Sequence, residues 1–177
     1  MPSIVASSTI VASLGLFATS FILCVVAVST PMWLDRESFG THTRLGIVHQ
    51  CWPSLSGSEY CMVAPIDQLP VAWQAAYCLM VVGMISLFGA ILCSLGAWYN
   101  THSMRIACNL GFFAACLLAL ATLIFPGGFS SPLVSGKAFK LPENVSVGYS
   151  YILFILSTLF AFLAELFAAR IILPVHF

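Results

Sequence analysis

Four stretches of this chain, residues 8–30, 72–98, 104–125 and 149–173, are each long and apolar enough to cross a lipid bilayer, and nothing else in the sequence limits the fold so tightly. A spanning helix needs about 20 mostly apolar residues to cover a hydrocarbon core about 30 Å thick. The shortage of charge agrees: only 7% of the 177 residues are charged and 60% are hydrophobic. A soluble domain carries about 25% charged residues, so much of this surface must face lipid. A formal net charge of zero argues against a nucleic-acid partner, which requires a basic face. No low-complexity linker divides the chain, so residues 1–177 read as one four-span membrane domain with the bilayer as its first partner. The first window lacks Lys or Arg ahead of it and is too long for a signal-peptide core, so it reads as a retained span.

Four crossings put both termini on one side and the two long loops, 31–71 and 126–148, on the other. The positive-inside count is a poor guide to which side is which. Arg36, Arg44, Lys137 and Lys140 lie in the long loops, against Arg105 and Arg170 on the opposite face. Two features outweigh that count. Cys51 and Cys61 are separated by nine residues, and a disulfide between them requires an oxidising compartment. Asn144-Val145-Ser146 is a glycosylation sequon, which is used only in the lumen. The reading is therefore long loops outside, both termini cytosolic, and a multi-pass protein of the plasma membrane, with the ciliary membrane as a further location.

A disulfide at this spacing stabilises a loop by about 3 kcal/mol on the chain-entropy estimate. Residues 44–50 (RLGIVHQ) and 59–63 (EYCMV) carry β-branched and aromatic side chains, and the turn formers Pro53, Ser54, Ser56, Gly57 and Ser58 separate them. This pattern predicts a small antiparallel sheet with the disulfide across it, and residues 138–141 are expected to add an edge strand. Pro126, Gly127, Gly128 and Pro132 should stop the third helix sharply. Trp33, Trp73, Tyr77, Phe129, Tyr149 and Tyr151 cluster near one set of span ends and Trp98 and Tyr99 near the other, as two interfacial aromatic belts would. Trp33 and Trp52 could also pin the sheet to the bilayer surface or anchor a partner.

Inside the spans, small residues recur at four-residue spacing: Ser86, Ala90 and Ser94; Ala107, Gly111, Ala115 and Ala119; Ser157 and Ala161. Little hydrophobic force acts between helices in lipid, so close approach through small residues marks packing ridges. Glu165 continues the ridge of the fourth span, and Asn109 lies at a similar depth in the third. An intramembrane carboxylate needs a partner; the expectation is a hydrogen bond to Asn109 or to a hydroxyl such as Ser8 or Ser13. Cys24, Cys78, Cys93, Cys108 and Cys116 all lie in spans and read as small apolar residues. The chain has no Cys-x-x-Cys pair, no clustered metal-ligand set, no phosphate loop and no nucleophile elbow. Neither enzymatic activity nor a cofactor or metal is expected. The end of the chain, Val175-His176-Phe177, loosely fits a PDZ ligand but follows Pro174 directly at the membrane.

Trp33, then Gly46 and Cys51 at the spacing Gly-x-x-x-x-Cys, then Cys61, in the first loop of a four-span chain, resemble the claudin, peripheral myelin and stargazin-like superfamily. Ile47 and Val48 stand where claudins carry Leu-Trp. The second half is closer to another family. Residues 123–129 (LIFPGGF), 140–144 (KLPEN) and 147–151 (VGYSY) look like those of the Modulator of Smoothened (Attenuator of Hedgehog) family, and the Pro-x-Gly-Phe element is similar to the lipoma-fusion-partner-like group. The resemblance implies a membrane all-α four-helix bundle with a small extracellular antiparallel β-sheet, claudin-like. It also implies a non-enzymatic attenuator of Hedgehog signalling. Such proteins act with a large single-pass EGF-domain receptor and a RING ubiquitin ligase to lower surface Smoothened. The competing readings are an auxiliary subunit of a channel or receptor and a claudin-like adhesion protein.

Overall fold

The long apolar windows are helices in the computed structural model, which describes residues 2–38, 41–54, 59–98, 100–132 and 134–172. The expected turn formers Ser56, Gly57 and Ser58, the belt residue Tyr99 and the segment 173–177 lie outside the described residues. Helix α1 runs Pro2–Ser29, α2 Val71–Gly96, α3 Thr101–Ile124 and α4 Tyr149–Ile172. Each contains a stretch long and apolar enough to cross a membrane, and the chain is a multi-pass membrane protein. The helix ends follow local chemistry. The Pro70 carbonyl accepts the Trp73 and Gln74 amides at the start of α2. Asn100 Oδ1 caps α3 by accepting the His102 N–H at 2.9 Å. Pro126 enters a 3-10 turn, Phe125–Ser130, that closes α3.

Hydropathy hardly varies around any of these helices, because both lipid and core are apolar. Small and hydroxyl residues mark the inward faces instead: Ser13 and Ser20 of α1, Ala90 and Ser94 of α2, Ala107, Ala114 and Ala115 of α3, and Ser157, Ala161 and Ala164 of α4 are all buried.

Five strands form one antiparallel sheet in the order β4-β3-β2-β1-β5. They are β1 Leu34–Ser38, β2 Thr41–Leu45, β3 His49–Pro53, β4 Glu59–Val63 and β5 Val145–Val147. The sheet corrects the sequence reading in three places. The stretch 44–50 is not one strand; it breaks at Gly46 into the end of β2 and the start of β3, and the Gly46 N–H donates to the His49 carbonyl at 2.9 Å. A first strand, β1, precedes β2. The second loop's edge strand is β5 rather than 138–141, where Lys137 and Lys140 instead form an isolated bridge. Because β5 pairs with β1 from Leu34↔Val147 to Arg36↔Val145, the two long loops share one sheet. The fold is a claudin-like four-helix bundle with a small antiparallel sheet.

The chain packs as two compact units, Met1–Cys24 with Met80–Ala119 and Leu156–Phe177, and Val25–Leu79 with Leu120–Ile155. In the first, Ser20 Oγ donates to the Ser157 carbonyl and Ser157 Oγ donates to the Ser20 carbonyl, both at 2.8 Å. This reciprocal pair joins α1 to α4. Gly83 of α2 lies against Leu118 of α3, where a Cβ would come within 3.0 Å of a Leu118 methyl. The second unit holds the sheet and an aromatic core.

Candidate functional site

Trp33, Gly46, Cys51 and Cys61 all lie in the second unit and have separate tasks there. Cys51 and Cys61 are directly opposed in β3 and β4 and form a disulfide with Cα atoms 4.0 Å apart. A Cβ on Gly46 would lie 2.6 Å from the His49 carbonyl oxygen and 2.7 Å from Pro31 Cα. Only glycine lets the β2–β3 turn fold against the chain leaving α1.

Trp33 is fully buried rather than interfacial. Its Nε1–H donates to the Ala27 carbonyl at 2.7 Å. The ring lies 4.9 Å from Phe125, 5.8 Å from Tyr151 and 5.4 Å from Phe154 between centroids. Trp73, also buried, stacks on Phe125 at 5.2 Å and donates from Nε1 to the Phe125 carbonyl at 3.1 Å. Gly128 leaves room for the Trp73 indole, which a Cβ there would strike. The Tyr151 hydroxyl donates to the Thr122 carbonyl at 3.0 Å. Trp33, Trp73, Phe129 and Tyr151 therefore depart from the expected belt and form one internal cluster, centred on Phe125. Its indole N–H groups and the Tyr151 hydroxyl are satisfied by helix-end carbonyls, as buried polar groups must be. Trp98 and Tyr149 are exposed, as belt residues are.

With Trp33 internal, the surface open to a partner is β4 and its surroundings. Every residue of β4 is exposed, and the strand forms one edge of the sheet. Register places Gln50, Trp52, Tyr60 and Met62 on one face and Cys51 and Cys61 on the other. A groove of about 340 Å³ runs along the first face, lined by Gln50, Trp52, Met62, Val63, Gln68 and Leu69. Gln50 is buried, while Trp52 and Met62 remain exposed. An exposed ion pair, Arg44 Nη1 to Glu59 Oε2 at 2.9 Å, joins β2 to the start of β4. The sequence marked Trp52 as a surface aromatic, but the open edge follows from the strand order, which no local pattern encodes.

Asn144 is exposed, and its carbonyl accepts the Glu37 N–H at 2.9 Å. The sequon thus sits where the second loop joins the sheet, with its side chain free of the ladder.

In the first unit Glu165 is buried. The thiol of Cys108 donates to its Oε2 at 3.2 Å, in place of the expected Asn109, which is exposed. The Ser13 hydroxyl turns back to the Ile10 carbonyl at 3.0 Å. Gly111 makes space for Glu165: a Cβ there would collide with Glu165 Oε1 and the Phe17 ring. Glu165 Oε1 is buried without a hydrogen-bond partner. Ala107, Gly111, Ala115, Ser157 and Ala161 are all buried. Phe17 and Ser20, which complete these contacts from α1, were not legible, because neither belongs to a repeated small-residue spacing.

One comparison with known proteins bears on this arrangement. A family model described as Attenuator of Hedgehog matches residues 30–174, a span that contains the whole sheet, the aromatic cluster and helices α2, α3 and α4.

Proposed function

The chain belongs to the Attenuator of Hedgehog family, and from that premise we propose that it attenuates Hedgehog signalling as a non-enzymatic membrane adaptor. In this reading the four spans hold it in the plasma membrane with both termini cytosolic and the sheet outside. The sheet engages a large single-pass EGF-domain receptor. That receptor, with a RING ubiquitin ligase, lowers the amount of Smoothened at the surface.

The observation that carries the adaptor reading is the open β4 edge beside its groove. An edge strand offers unpaired backbone groups to a strand of another chain, and flanking pockets read alternate side chains. Tyr60, Met62 and Val63 supply exposed apolar area along that edge. The disulfide fixes the pairing of β4 with β3 and so keeps the edge in one register. The opposite direction of signalling has little to work with near the short connection: only residues 97–100 separate α2 from α3.

The test is affinity purification of the tagged protein in a mild detergent, with mass spectrometry of stoichiometric partners. The wild type recovers an EGF-domain receptor. A Tyr60→Lys/Val63→Lys variant, which places lysines on the edge to oppose strand addition, reaches the surface but loses that partner. Recovery of channel subunits would favour the auxiliary-subunit reading, and recovery of the protein alone would favour adhesion.

A further inference from the structure

The second loop ends a tight turn on an exposed phenylalanine in a conformation that phenylalanine rarely adopts. Lys137 and Lys140 close the turn by exchanging backbone hydrogen bonds at 3.1 and 2.9 Å. Phe139, its third residue, has φ 62° and is 70% exposed. That position of a turn normally takes Gly or Asn, because a side chain there is strained. The side chain is largely exposed, so burial of the ring does not offset that strain.

The height of this turn is set by a backbone contact. The Phe139 N–H donates to the Pro126 carbonyl at 3.1 Å. Pro126 lies within the apolar stretch His102–Ser130, near its end. This backbone bond ties Phe139 to the end of that apolar stretch, near the level at which the third span would leave the hydrocarbon. Lys137 and Lys140 flank it, and both are exposed. Among the described residues neither ammonium has an ion-pair partner. They line a shallow cavity of about 290 Å³ with Gly136 and Pro142.

We propose that the Lys137–Lys140 turn is a phospholipid anchor: Phe139 enters the headgroup–acyl boundary and the two lysines bind headgroup phosphates. An aromatic ring is favoured at that depth, and lysines beside it find anionic oxygens within reach of their flexible stems. Charge complementarity selects lipid over a second copy of this surface, where lysines would face lysines.

The test replaces Phe139 with p-benzoylphenylalanine in the full-length protein, reconstituted in phosphatidylcholine nanodiscs and irradiated. The expected result is a lipid adduct, read by mass spectrometry, several-fold above that from the same probe at Tyr60. Adding Lys137→Gln/Lys140→Gln lowers the yield at 139 several-fold. A yield at 139 equal to that at Tyr60, an unchanged yield without the lysines, or crosslinking in cells to protein instead of lipid would overturn the proposal. Phe139→Gly gives a separate reading, because it relieves the backbone and leaves melting unchanged or higher. A lower melting temperature would show the ring to be a structural contact and would overturn it as well.

Discussion

At Gly111 the absence of one methyl group lets α1, α3 and α4 come together, since Glu165 and the Phe17 ring occupy the space a Cβ would take. Gly111→Val therefore overpacks this contact and is expected to destabilise the protein by about 1–3 kcal/mol, read as a lower melting temperature in detergent. Gly15, where an added Cβ would meet nothing within 4 Å, is the matched control. Gly15→Ala should leave melting unchanged or slightly raised, because alanine is the better helix former by about 1 kcal/mol. The small-residue spacing made Gly111 legible in the sequence and Glu165 conspicuous in it. What sequence could not give was the donor to Glu165. Cys108 and Asn109 are adjacent, and helix rotation alone decides which faces inward. Trp33 carried the opposite lesson. Its motif was plain, but an aromatic at a span end reads alike whether it faces headgroups or, as here, a cluster around Phe125.

At the scale of elements, the four helices were legible because bilayer thickness sets their length, and their faces were legible only through alanine, glycine and serine. The contact of α1 with α4 rests on the reciprocal Ser20–Ser157 pair. Each hydroxyl donates to the other residue's backbone carbonyl, so Ser20→Ala and Ser157→Ala are each expected to destabilise the protein by about 0.6–1.7 kcal/mol, the range for polar contacts between membrane helices. Steric-trap unfolding in bicelles measures each loss, and two single variants as stable as the wild type would contradict the pairing. The sheet was read only in part. Residues 59–63 stood out through their β-branched and aromatic content. The sequences of β1 (LDRES) and β2 (THTRL) are polar and charged, so no hydrophobic alternation announces their hairpin. The β5 strand is three residues long and depends on a partner more than a hundred residues earlier, which a local reading cannot supply.

For the whole molecule, the pairing of β5 with β1 binds both long loops into one sheet, so a mark on either loop reports the side of both. Asn144 is that mark. If the long loops face the lumen, the protein carries an N-glycan removable by peptide N-glycosidase F, and Asn144→Gln abolishes the mobility shift without loss of expression. An unglycosylated wild type that is protected from external protease at the sheet would invert the orientation. On the proposed function, the open edge of β4 is the adaptor surface through which the protein attenuates Hedgehog signalling. The most direct measurement is surface Smoothened, quantified by cell-surface biotinylation in cells lacking this protein and then re-expressing it. Loss of the protein should raise surface Smoothened, and wild type should restore it. Tyr60→Lys/Val63→Lys, delivered to the surface in equal amount, should not restore it. Full restoration by that variant would rule out the β4 edge as the adaptor surface.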